Sequence, residues 1–263
     1  MSDVRIATEA RQPPASAASI STYARIAGAL LLVGFVAGGF GELFVPSKLI
    51  VPADATATAH NIMASESLFR MGFVGYLVEA VCDVSTTLLL YVLLRPVNKN
   101  LALLAAFFGL VGTATYAIAE FFYFAALQLL EGATYLRTFS PEQLNTLALL
   151  SLKLYGDGAE VFMAFGGVGS IIVGYLIFRS CYLPKTLGVL LALAGLGFIT
   201  INVALVLAPA YASPVLLLPV LLATLSLALW LLVKGVDVPK WVAAVSRAES
   251  ADREFCPTSA MSP

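Results

Sequence analysis

The sequence predicts an all-α fold, a polytopic membrane helix bundle with about six transmembrane helices and short amphipathic helices in its outer loops. Three observations predict it. The chain is 60% hydrophobic and 12% charged, where a soluble domain is about half apolar and a quarter charged, and its mean hydropathy is +0.91. Its Lys and Arg residues fall in tails, loops and helix ends, with long apolar runs between them. Six of those runs reach the length an α-helix needs to cross the hydrocarbon core, about 20 residues.

Residues 1–23 are polar and rich in Ala, Ser and Pro, and read as a flexible N-terminal tail. The apolar run after them is too long for the core of a secretory signal, so it reads as a retained first span over residues 24–45. In the loop that follows, Asp54 is placed to cap a helix over 55–65. The second span covers 69–94 and the third 101–130, long enough to tilt or protrude. Next, Ser140-Pro141-Glu142-Gln143 has Ser at the N-cap, Pro in the first turn and Gln three residues on. Leu144, Leu147, Ala148 and Leu152 then share a face, which predicts a helix lying along the membrane interface before the fourth span at 158–178. The fifth and sixth spans are expected at 183–207 and 214–233, and residues 235–263 read as a polar tail.

Charge orients the chain. Arg5, Arg11, Arg25, Arg95, Lys99, Arg179, Lys185, Lys234, Lys240, Arg247 and Arg253 fall on one side, and only Lys48, Arg70, Arg137 and Lys153 on the other. Because basic loops stay inside, both termini are expected in the cytoplasm, with the chain in the cell membrane. An echo between Tyr91-Val92-Leu93-Leu94-Arg95 and Tyr175-Leu176-Ile177-Phe178-Arg179 suggests helical hairpins arranged in parallel, one plan for a transporter.

Ionisable groups inside a span are costly and point to function. Glu79 and Asp83 lie four residues apart near the middle of the second span, so both carboxylates share one helix face. Two such groups repel in a low dielectric, and the pair is expected to hold a proton near neutral pH. The third span adds Glu120, and the fourth carries Asp157 and Glu160 at its outer end; Glu42 lies near the outer end of the first. Glu79, Asp83, Glu120 and Glu160 are therefore the candidate ion or proton site. The alternative is helix glue, with the acids bonded to Ser85, Thr86, Thr87, Thr113, Thr115 or Tyr116. Asn202 is expected to bond across helices, and Gly34, Gly38, Gly195 and Gly197 to face other helices.

No catalytic, cofactor or metal site is expected. Cys82, Cys181 and Cys256 have no metal spacing, and His60, the one histidine, has no local partner. No nucleophile–base pair is recognisable, so an enzyme is not expected. A net charge of −1 gives no reason to expect nucleic acid.

Several segments together resemble a bacterial multi-pass family catalogued as domain of unknown function 4386. They are YARIAGALLL (23–32), SKLIVPA (47–53), SESLFRMGF (65–73), Cys82-Asp83, LYVLLRPVN (90–98), FSPEQL (139–144), GYLIFRS (174–180), LPKTLGVLL (183–191) and LWLLVKG (229–235). The resemblance implies a membrane location and no reaction. Asp83 matches the family pattern and Glu160 keeps an acidic group. Tyr155 and Gly169 stand where members tend to have histidines, and Thr224 where an acidic residue is common.

Two functions follow as expectations. One is a small ion- or proton-coupled transporter that uses the intramembrane acidic pair. The other is a non-catalytic membrane partner, sensor or envelope-stress protein. The expected partners are the lipid bilayer and a second copy or a membrane protein.

Overall fold

The computed structural model of the chain describes residues 17–208 and 213–255. The predicted N-terminal tail up to residue 16, and Cys256, lie outside the described residues. Among the described residues, six helical segments are long and apolar enough to cross a membrane: Ser19–Leu49, Glu66–Leu94, Lys99–Leu130, Pro141–Arg179, Lys185–Leu207 and Val215–Val233. The described residues contain no strand. The chain is an all-α multi-pass membrane bundle.

The first span is composite. Helix α1 (Ala17–Gly38) runs without a break through a π-helical turn at Gly39–Phe44 into the short α2 (Val45–Leu49). A π turn holds extra residues and re-aims the side chains beyond it, and such turns gather at functional sites. Helix α3 (Ala55–Ala64) starts where Asp54 Oδ1 accepts from the Ala57 amide at 2.8 Å, as the sequence predicts. Helix α4 (Glu66–Leu94) leads through a short turn to α5 (Lys99–Leu130), whose N-cap Asn98 accepts from the Leu101 amide at 2.9 Å.

Helix α6 (Pro141–Arg179) opens with the predicted capping box. Gln143 N–H donates to Ser140 Oγ at 3.3 Å, and Ser140 N–H donates to Gln143 Oε1 at 2.8 Å. The expectation of a separate interfacial helix is corrected here. The segment after Ser140 continues unbroken into the fourth span, 39 residues in all, or about 58 Å at 1.5 Å per residue. Its apolar face is turned inward: Ala148, Ser151, Leu152 and Tyr155 are buried, with α3 and α5 packed alongside. Helix α7 (Lys185–Leu207), a 3₁₀ turn (Pro214–Leu217) and α8 (Leu218–Val233) complete the spans. The stretch that reads as a polar tail is helical over α9 (Val238–Phe255), and its Trp241 is buried.

The spans form a closed ring in chain order. The first packs on α4, α4 on α5, α5 on α6, α6 on α7, α7 on α8, and α8 returns to α1. Glycines permit the closest approaches. A Cβ at Gly188 would lie 2.5 Å from the Gly174 carbonyl, and one at Gly167 would lie 2.9 Å from the Gly195 carbonyl, so α6 and α7 meet backbone to backbone. Gly34 packs on Cys82, Gly38 on Glu79, Gly195 on Gly167 and Gly197 on Leu216, so all four predicted seam glycines face another element.

Two apolar cores fill the ring at its ends. One, around Ala24, Leu93, Leu176, Leu227 and Trp241, lies at the end carrying the two basic turns, called the basic end. The other, around Val45, Ile62, Phe69, Tyr123 and Leu152, lies at the opposite end, the loop end. Glu79 and Asp83 lie between them along α4, and Glu120 sits among the loop-end residues Tyr116, Ala119 and Tyr123.

Candidate functional site

Three elements bring acids into one layer. The π turn presents Glu42, α4 presents Glu79 and Asp83 one turn apart, and α5 presents Glu120. Glu79 lies within electrostatic reach of Glu42, Asp83 and Glu120, and Asp83 and Glu120 each lie within reach of Glu42. Among the described residues none of the four forms an ion pair; the ion pairs present are Arg70 with Glu66 and Glu131, and Lys240 with Asp237. Glu120 is 2% exposed, and its Oε1 has no hydrogen-bond partner. Glu79 Oε2 is also buried without a partner, as is Thr86 Oγ1 on the same face of α4. Glu42 is exposed on the surface of the first span, and one of its oxygens accepts from the buried Tyr116.

Tyrosines surround the layer. Tyr116 Oη donates to Glu42 Oε1, and its oxygen lies 2.7 Å from Tyr155 Oη. Tyr76 Oη donates to the Gly41 carbonyl at 2.7 Å, and Tyr123 Oη to the Phe69 carbonyl at 3.1 Å. The Gly41 contact matters because a π turn leaves backbone carbonyls out of the regular ladder, and Tyr76 satisfies one of them. Tyr76 stands edge-on to Tyr123, with ring centroids 5.0 Å apart. The Tyr155–Tyr116–Glu42 series is a continuous hydrogen-bonded path between α6, α5 and the first span.

Of the four predicted site residues, Glu79, Asp83 and Glu120 come together and Glu160 does not. Glu160 lies within electrostatic reach of Asp157 alone, and its backbone carbonyl accepts from Asn202 Nδ2 at 2.5 Å. That contact is the cross-helix bond expected of Asn202. Two of the hydroxyls named as glue bond elsewhere. Ser85 donates to Val81 O at 2.8 Å and Thr115 to Val111 O at 2.9 Å, each on its own helix, while Thr87 packs against Gly109. Tyr116 does bond an acid, but that acid is Glu42.

Sequence reasoning left Glu42 out of the site, because simple helical periodicity does not show how a π turn re-aims it. The run Gly38-Gly39-Phe40-Gly41-Glu42, three glycines beside an acid within an apolar run, was the available signal. Among the described residues no three His, Cys, Asp or Glu side chains converge closely enough to hold a metal ion. His60 is exposed on α3.

The sequence model of a family described as domain of unknown function (DUF4386) matches residues 26–235, which covers α4 to α8 and most of the first span and stops before α9. An uncharacterized protein of Archaeoglobus fulgidus is 26% identical over 126 residues, spanning 48% of this chain and 62% of that protein. No solved structure matches.

Proposed function

We propose that this chain, which belongs to the family described as domain of unknown function (DUF4386), takes up protons at its acidic layer and couples that uptake to transport across the cell membrane. The observation that carries the reading is the set Glu42, Glu79, Asp83 and Glu120, in which Glu42 and Glu79 each lie within electrostatic reach of the other three, without a basic partner. An ionised acid at the centre of a span costs about 2.5–3.5 kcal/mol on insertion scales. Glu79 and Asp83, near the middle of α4, would together cost about 5–7 kcal/mol if both were ionised, which rivals the whole stability of a domain, about 5–15 kcal/mol. The layer is therefore discharged by protons or by a bound cation. Protons are favoured, because the carboxylates do not converge on one point as the oxygen ligands of a cation do. Tyr116 and Tyr155 supply hydroxyls that can exchange a proton with Glu42.

The test is a pH-jump measurement on vesicles containing the full chain and a trapped pH-sensitive dye. Glu79→Gln and Asp83→Asn should leave the protein folded and remove the proton signal. Glu160→Gln, outside the layer, should leave it unchanged. An intact signal in both the Glu79 and the Asp83 variants would sink the reading.

A second reading, a non-catalytic membrane partner or sensor, is favoured by the backbone-close seam of α6 and α7, which suits a rigid bundle. It expects the same amide variants to be silent in vesicles, and expects a second protein to co-purify with the chain.

A further inference from the structure

The basic end of the bundle has a cleft that the acidic layer does not use. Helix α8 ends at Gly235, whose φ of +68° favours glycine and whose N–H donates to the Trp230 carbonyl at 3.0 Å. The chain doubles back there into α9. Asp237 N–H donates to the Tyr182 carbonyl at 3.2 Å, tying the α8–α9 turn to the α6–α7 turn. Tyr182 Oη and Trp241 Nε1 both donate to the Leu93 carbonyl, at 2.8 and 3.0 Å, which fixes both turns against the end of α4. Between the turns lies a cleft of about 490 Å³, lined in part by Lys234, Lys240, Asp237 and Trp230. Sites for small ligands span about 300–1,000 Å³.

The charges in this cleft do not balance. Lys240 Nζ lies 2.8 Å from Asp237 Oδ2, and its hydrogen bond holds that carboxyl below the ordinary carboxylate range, so Lys240 is compensated at neutral pH. Lys234 is exposed and joins no ion pair among the described residues. One wall is apolar and opens toward lipid: Trp230 is 36% exposed, on a flank of α8 shared with Leu229 and Val233. A free anion would use only Lys234. A molecule with an anionic head and an apolar tail would use Lys234 and the Trp230 flank together, and basic pockets at the ends of spans hold acidic lipid headgroups in this way.

We propose that this cleft holds the headgroup of an anionic phospholipid, its phosphate at Lys234 and its chains along the Trp230 flank of α8. The chain has two tryptophans, Trp230 and the buried Trp241, so its own fluorescence reports the site. The full chain is placed in vesicles containing brominated phosphatidylglycerol or brominated phosphatidylcholine at equal mole fraction. Quenching should show about a fivefold preference for the anionic lipid. Lys234→Gln should bring the two lipids to parity, and Trp230→Phe should abolish the difference. Equal quenching of the unaltered protein would overturn the proposal, as would a full preference surviving in Lys234→Gln. If inorganic phosphate added to the vesicles removes the preference, the cleft takes a free anion and the lipid assignment is overturned. None of these outcomes depends on the acidic layer.

Discussion

A Cβ at Gly38 would lie 2.5 Å from the carboxyl carbon of Glu79, so this residue leaves the room that the Glu79 carboxyl occupies against the first span. Overpacking of this kind costs about 1–3 kcal/mol. Gly38→Ala should therefore lower the melting temperature in detergent, and Glu79→Ala in the same chain should restore part of the loss. Additive losses in the double variant would show that the two residues do not touch. Tyr155→Phe removes one hydrogen bond between buried hydroxyls and should cost about 1 kcal/mol, with a slower proton signal in vesicles if the Tyr155–Tyr116–Glu42 path carries protons. At this scale the sequence was only partly legible. Glu79 and Asp83 stood out because a four-residue spacing inside an apolar run has few other readings. Glu42 was hidden by the π turn that re-aims it. Glu160 was grouped with the others on residue type, and a helix places it beside Asp157 instead.

Among the elements, the seam of α6 and α7 depends on glycines that no other residue can replace without pushing the helices apart. Gly195→Leu should lower the melting temperature clearly, because its side chain would enter the Gly167 carbonyl and Ile171. Leu at Gly156, whose added Cβ would meet nothing within 4 Å, should cost far less. Ser140→Ala breaks the capping box of α6 and should cost about 1 kcal/mol, seen as faster hydrogen exchange confined to the first turn. Hydropathy and cap chemistry revealed every span and the starts of α3 and α6, since both signals are local. The continuity of α6 was not legible. Gly156 and Gly158 weaken a helix by about 1 kcal/mol each in water, yet Gly158 here packs against Ala119 of α5. Helix α9 was missed because its composition is polar, although Val238, Trp241, Val242 and Val245 repeat at helical spacing along one stripe.

On the scale of the whole molecule, two apolar cores hold the ends of a ring, with Glu79 and Asp83 between them and Glu120 at the edge of the loop-end core. The surplus of Lys and Arg at the basic end predicts that this end faces the cytoplasm. Reporter fusions after Lys240 should read as cytoplasmic, and fusions near Asp54 and Gln143 as external. A cytoplasmic signal at Gln143 would reverse the orientation. The ring itself was not legible, because hydropathy identifies spans without naming neighbours. The packing of α8 on α1 rests on a close contact across most of the sequence, where a Cβ at Gly28 would lie 2.5 Å from the Leu232 nitrogen. This closure also has a consequence in time. Among the six spans, the one that α1 opens leaves the ribosome before the rest and its partner α8 after them, so the Gly28 strip waits bare in the bilayer while the other spans are made. A chain stopped before α8 keeps both edges of the ring open, and membrane proteases that survey unassembled helices should find it there.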